Sequence, residues 1–420
     1  MRTVWSHTRP ARHVATVVGM VALLGGCWLA PGGGPNRNGH NGVETVIGID
    51  TAADMTEAWH ATAAWLPPPP VVFGRYVYST TGGEVIAREV GTGTTIWTQY
   101  LYEAQALAMF IRDGTLLVVE GGHPMEPPFV VRHDLTTGEI LTGSVPRVQT
   151  LRGTLGAEVA RPSRYSREFQ LVVSDLAGTT PQWSTPVLAD AQSPAPRPTI
   201  TAERVVVSGK GLVTTDPVST STALGLRAYD VEGPPEDCGT DYDGEFPVTY
   251  GCPVWAVAVE GTSMSAPVVS DDLATVVVGT DAGLVYAISE ATGTVLWTAD
   301  VGSAVTADPG IAGDTVLVPT AADGLVALPL TGCGAPSCAP IWTSASPAGV
   351  AQQPVAAGGA VFVGHDGGVL AAYPVGGCGS ATCEPVWSTP LGGTFDVPMA
   401  IGSGHLLVTV DSVMHAFTPG

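Results

Sequence analysis

The sequence predicts an all-β protein: an eight-bladed β-propeller of four-stranded antiparallel blades, its ring closed by an N-terminal strand joining the C-terminal blade. Three observations lead there. Glycine and proline number 53 and 35 in 420 residues, which leaves little room for long helices. A frame of the form Ala-x-(Asp/Ser/Glu)-x-x-Thr-Gly-x-x-x-Trp recurs along most of the chain. The copies at the two ends are incomplete in complementary ways, as a closed ring requires.

The frame is clearest at Ala287, Ser289, Thr292, Gly293 and Trp297, and again at Ala87, Glu89, Thr92, Gly93 and Trp97. It recurs from Asp134 with Thr142 in the Trp position, and from Asp175 to Trp183. In three further copies the stretch before the Trp is longer: Ala228 to Trp255, Ala327 to Trp342, and Ala372 to Trp387. Ahead of each frame lies an alternating apolar run, often introduced by proline, as at Pro198, Pro267, Pro309, Pro354 and Pro398. Each copy therefore supplies about four short strands separated by Gly, Asp and Thr-Gly turns. One such sheet cannot bury both of its faces, and radial stacking solves that. Strand ends fall at Trp59, Trp97, Thr142, Trp183, Trp255, Trp297, Trp342 and Trp387. The last copy, 395–417, stops before a Trp, whereas the first, 44–64, has a Trp-ending strand with nothing before it. The strand around Trp59 is expected to complete the last blade, which makes residues 43–420 one domain.

The N-terminal residues 1–26 read as a lipoprotein signal peptide. Arg2, Arg9 and Arg12 precede an apolar run at 14–24, too short for a permanent membrane span. The run ends in Leu24-Gly25-Gly26-Cys27, which resembles the lipobox of bacterial lipoproteins. That resemblance implies cleavage before Cys27, acylation of Cys27 and an extracytoplasmic protein held at the cell membrane by lipid. Residues 27–42 are then expected to be the lipidated Cys followed by a flexible Gly/Pro/Asn tether.

Six further cysteines form local pairs, Cys238 with Cys252, Cys333 with Cys338 and Cys378 with Cys383, one inside each of the three lengthened repeats. Zinc would call for tighter spacing, so loop disulfides are the reading for an exported chain.

Charge narrows the function. The formal net charge is −21, and from Ala228 to Gly420 there are 20 acids and no Lys or Arg. This is the wrong sign for a phosphate backbone, and no nucleic-acid partner is expected. Within 236–245, Asp241, Asp243 and Glu245 alternate and could offer oxygens to Ca²⁺, although the full calcium-loop ladder is missing. The nine histidines are scattered and never form a ligand-spaced pair.

The tryptophan frame resembles the docking repeat of the PQQ-binding-like β-propeller superfamily, which includes quinoprotein alcohol dehydrogenases and the assembly lipoprotein BamB. Resemblance to the quinoproteins implies adjacent cysteines, an acidic calcium site and an Asp base. No two cysteines here are adjacent, and no PQQ or other cofactor is expected. The stretch Gly261-Thr262-Ser263-Met264-Ser265-Ala266-Pro267 resembles the nucleophile motif of subtilisin-like proteases. It lacks the partner His segment, and the repeat frame accounts for it as the approach to a first strand. No catalytic residue is assigned.

By repeat phase, Arg197, Ser265, Asp308, Gln353 and Asp396 fall where first strands converge on the channel mouth, the usual binding surface of a propeller. The expected function is a non-catalytic interaction or scaffold module of the bacterial envelope, monomeric, binding a protein, peptide or glycan. The alternative is an oxidoreductase of the quinone type, or another enzyme using mouth carboxylates.

Overall fold

The computed structural model describes residues 27–420 except 64–66, 103–104, 122–128, 146–148, 153–154, 161–168, 176–180, 188–196, 213–214, 216–222, 235–236, 244–245, 347 and 351. For 142–145, 160, 175, 181, 237, 239–243 and 246–249 it describes the backbone alone. Residues 1–26, read from sequence as a lipoprotein signal peptide, lie outside the described residues.

Eight antiparallel sheets follow one another along the chain, each with its strands in the spatial order 1-2-3-4 from the axis outward. Blade 1 comprises Val71–Phe73, Tyr76–Thr81, Glu84–Glu89 and Thr95–Tyr100. Blades 2 and 3 begin at Gln105–Arg112 and Thr150–Arg152, and blade 4 at Arg197–Ile200. Blade 5 (Val268–Val269, Thr275–Gly279, Leu284–Ser289, Val295–Asp300) is followed by blades 6 and 7, which begin at Gly310–Ala312 and Val355–Ala357. Blade 8 takes three strands from the C-terminus, Ala400–Gly402, His405–Val410 and Val413–Pro419, and its outer strand from the N-terminus, Met55–Thr62. In that closing pair Trp59 lies opposite Ala416 and His60 opposite His415. The ring therefore closes as the two incomplete repeats foretold.

The frame tryptophans hold neighbouring blades together. Each indole N–H donates to a carbonyl in the next blade: Trp59 to Val90 (2.7 Å), Trp97 to Leu135 (3.0 Å), Trp183 to Val231 (3.0 Å) and Trp255 to Glu290 (2.7 Å). Trp297 donates to Leu330 (2.9 Å), Trp342 to Val375 (3.1 Å), and Trp387 crosses the closure to Met55 (3.0 Å). The ring buries apolar area while its one polar atom is satisfied, which makes Trp the fitting residue. A bulge just ahead of Trp59, Trp97 and Trp297 bends the outer strand and turns the indole toward that neighbour.

The three disulfides form as paired, Cys238–Cys252, Cys333–Cys338 and Cys378–Cys383. Each stapled arm reaches back to the preceding blade. Thr298 N–H donates to Pro336 O and Cys338 N–H to Thr298 O, both at 2.8 Å, so the arm of blade 6 lines the outer strand of blade 5. Thr343 and Ala345 of blade 6 are bonded in the same way to Ala381 and Cys383 of blade 7's arm. The arm of blade 4 is a hairpin, Asp237–Asp243 with Phe246–Gly251, and Gly251 N–H donates to Thr185 Oγ1 of blade 3 (2.8 Å). Backbone groups on otherwise open sheet edges thereby find partners.

Candidate functional site: a plugged channel with two mouths

Antiparallel order fixes two ends of the ring. Turns between strands 1 and 2 and between 3 and 4 share one end. Turns between strands 2 and 3 and the blade-to-blade loops share the other, called here the mouth end.

Residues 28–41, expected to form a flexible tether, instead cross the channel as a plug. Trp28 is 0 % exposed and exchanges both backbone hydrogen bonds with Val72 of blade 1 (2.9 and 2.8 Å). Leu29 O accepts from Ile111 of blade 2, Asn36 O from Val269 of blade 5, Asn38 O from Ile311 of blade 6 and Gly39 O from Ala356 of blade 7. Asn41 Nδ2 donates to Ile401 O of blade 8 (2.7 Å), and Arg152 of blade 3 donates to Asn36 Oδ1. The glycines that suggested flexibility provide tight turns instead: Gly32, Gly33 and Gly39 all have positive φ, as does Arg37 at 54°. A left-handed Arg costs about 1–2 kcal/mol, and it is held there by what its side chain meets.

That partner is Asp308. Its Oδ2 lies 3.3 Å from Arg37 Nη2, its Oδ1 lies 3.2 Å from Arg197 Nη1, and Oδ1 also accepts from Ala266 N–H (2.7 Å). Arg197 is tied down further by donation to Met264 O (2.9 Å). Gln353 Nε2 donates to Arg37 O (2.6 Å) and Pro309 O (3.0 Å), clamping the plug to blades 6 and 7. A cavity of about 320 Å³ at the mouth end is lined by Arg37, Arg197, Ser265, Asp308 and Gln353, with Met264, Thr306 and Pro398. Four of the five residues expected at the mouth thus come together. Asp396 is the exception: it is absent from the lining, and its Oδ2 accepts from Ser412 N–H (2.7 Å), capping a turn of blade 8. Ser265 Oγ is taken up by Ala266 O and Gly279 N–H, both at 3.0 Å. Thr262 and Ser263 N–H donate to Asp281 Oδ1 (2.7 and 3.0 Å), so the protease-like heptapeptide is an Asp-capped loop.

Sequence reasoning missed Arg37. In the lining of this cavity two guanidinium groups face one carboxylate, in a chain of net charge −21. The foretelling signal was the apolar start, Trp28-Leu29-Ala30, of an otherwise polar, Gly-rich stretch.

At the opposite end a second cavity, about 570 Å³, is lined by Cys27, Leu29, Val43, Ile111, Leu151, Arg152, Asp271 and Leu273, among others. Asp271 is held below its usual pKa, chiefly by hydrogen bonding from His40, against the opposing effect of burial. Asn38 Nδ2 donates to the same carboxylate (2.7 Å). Cys27 lies against the backbone of Gly74 in the first turn of blade 1, and burial pushes its thiol up.

The side chains of Asp241, Asp243 and Glu245 lie outside the described residues. Among the described residues no three His, Cys, Asp or Glu side chains stand close enough to hold a metal. Among the described residues lining the mouth cavity the one carboxylate, Asp308, is already engaged by two arginines and an amide. These donors do not fit the calcium–quinone set of the quinoproteins, and no step is derived through that group.

The fold and site define a class: an eight-bladed propeller of PQQ-like repeats whose channel its own N-terminal segment divides into two mouths. A family model described as outer membrane protein assembly factor BamB matches residues 248–333 and again 283–377. BamB from Moraxella catarrhalis is similar in structure, at 14% identity and TM-score 0.58, over 87% of this chain and 99% of that one. The quinohemoprotein alcohol dehydrogenase ADHIIG from Pseudomonas putida HK5 is similar at 12% identity and TM-score 0.63, over 94% of this chain and 81% of that one. The computationally designed Ika8 protein matches at 12% identity and TM-score 0.61, over 86% and 98%. No curated protein sequence matches the chain. At these identities the likeness is one of fold, so function rests on the residues at the two mouths.

Proposed function

We propose that the protein is a non-catalytic interaction module of the bacterial cell envelope, lipid-anchored at Cys27, that binds an envelope protein, peptide or glycan at its mouth. One observation carries the reading. Among the described residues, Arg37 and Arg197 are presented around Asp308 over a floor made by the plug, and the cavity lining holds no nucleophile–base pair. A family model named for an assembly factor supports the same role. The test is cross-linking and capture from envelope extract with wild type and Arg197→Gln, a change at a half-exposed side chain, with equal thermal midpoints required of the two proteins. A partner held by wild type and lost from the variant supports the reading; equal capture counts against the mouth. The fold's likeness to quinohemoprotein dehydrogenases motivates one control, in which a quinone-type absorbance appearing on addition of PQQ and Ca²⁺ would favour an oxidoreductase. Cys27→Ser should release the protein from membranes, and unchanged retention would refute the anchor.

A further inference from the structure

We infer that the protein stands on the membrane in one fixed orientation, with the end of the ring that carries Cys27 against the lipid and the Arg37–Arg197 mouth pointing away. The inference rests on the lipid-anchor reading of Cys27 and adds what the fold does to that anchor.

Three observations converge. First, the connection has no slack. Trp28, the residue after the anchor, is fully buried and paired in both directions with Val72, so no chain separates the acylated Cys from the body of the ring. A flexible tether would let the propeller tumble above the bilayer; a connection of zero length does not. Second, Cys27 is at one end and not on the rim. It lies against Gly74, between the first two strands of blade 1, and shares a cavity with Leu273, between the first two strands of blade 5. Anchoring there directs the ring axis toward the membrane. Third, this end carries exposed apolar side chains. Val43 and Val46 are 48% and 51% exposed, beside the polar Glu44 that caps their loop. Val46 sits over the Gly404 turn of blade 8, and Val43 lines the cavity with Cys27. Such side chains gain by entering the headgroup–acyl boundary that acyl chains on Cys27 would already occupy.

The sole lysine makes the orientation measurable. Lys210 ends the second strand of blade 4, Arg204–Lys210, and so lies at the mouth end. Asp314, exposed in the first turn of blade 6, and Glu203, in that of blade 4, lie at the Cys27 end. The full chain, matured in bacterial membranes and reconstituted into phosphatidylcholine vesicles, is treated with a membrane-impermeant amine reagent, and each site is read by peptide mass spectrometry. Lys210 should react equally on vesicles and after detergent release. The lysine of Asp314→Lys should react about five-fold or more slowly on vesicles, and a linker of about twenty Gly/Ser residues inserted after Cys27 should abolish the difference. Glu203→Lys repeats the measurement should the first variant fold poorly. Protein that stays on the vesicles but labels equally at both ends overturns the orientation and leaves the anchor standing. Protein that does not partition with the vesicles overturns the anchor, and the orientation with it.

Discussion

Replacing Gly377 by Ala should destabilise the ring sharply, whereas the same change at the preceding residue, Gly376, should not. Gly377 has φ 81° and sits under Trp342, where a Cβ would fall 2.6 Å from Cδ1 of the indole. A side chain in left-handed backbone costs about 1–2 kcal/mol. Forcing a methyl into a packed contact adds about 1–3 kcal/mol. The sum, about 2–5 kcal/mol, is opposed only by the small gain from stiffening the unfolded chain. A Cβ on Gly376 meets nothing within 4 Å, and its φ is not left-handed, so Gly376→Ala should stay within about 0.5 kcal/mol of wild type. Unfolding entropy scales with chain length, so each kcal/mol moves the midpoint of a ring this large by only about 1 °C. Calorimetry should therefore find Gly377→Ala lower by about 2–6 °C and Gly376→Ala unchanged, on the same scale. Equal midpoints for the two variants would refute the argument that Trp docking dictates the glycine.

Other outcomes follow from the same contacts. Asp308→Asn leaves Arg37 and Arg197 facing each other without a countercharge and should cost about 1–2 kcal/mol, less than a fully buried pair because Arg197 is half-exposed; faster hydrogen exchange at residues 36–39 would report the loosened plug. Removing the Cys378–Cys383 bridge by a double Ala substitution should cost about 2 kcal/mol by loop entropy, and exchange at the Thr343 and Ala345 amides should accelerate. His365 is held below its usual pKa by burial, against a hydrogen bond from Nδ1–H to Ala348 O. The unfolded chain therefore takes up a proton near pH 6.5 that the folded chain refuses, and stability should fall as pH drops below about 6.5. Denaturant midpoints on both sides of that pH should show the slope, and His365→Gln should reduce it, leaving the part due to His133, whose pKa burial lowers likewise.

The parts of the structure that repeat were legible, since a periodic pattern states the same physical demand eight times. Trp59 and the truncated last repeat foretold closure because neither fragment could bury its faces alone. The cysteines could be paired since each pair falls inside one lengthened repeat. What escaped was non-local and unrepeated. Residues 28–41 have the composition of a linker, and glycine serves left-handed turns and flexible chains equally well. Only the blades, which supply partners for the Asn and Arg side chains, decide between the two. The reach of each stapled arm to the preceding blade was hidden for a similar reason: Thr298 and Pro336 meet through the stacking of blades and carry no mark in sequence. At the mouth, repeat phase pointed to Arg197, Asp308 and Gln353 because each stands just before the proline that opens a first strand, with Ser265 one residue further back. Arg37 belongs to no repeat and could not be found that way.

The plug also decides how the molecule bears load. A pull on residue 27 enters along the ring axis, where backbone and side-chain bonds join the following fourteen residues to seven blades. Force so applied must strip the Trp28–Val72 pair and then each later contact in turn before any tension reaches Met55–Thr62. Without that segment the same pull would reach the ring through Met55–Thr62 and peel the closing strand from Val413–Pro419 one pair at a time. Threading residues 28–41 through the axle gives the wheel a hub, so the strand that closes the ring is shielded from tension applied at residue 27.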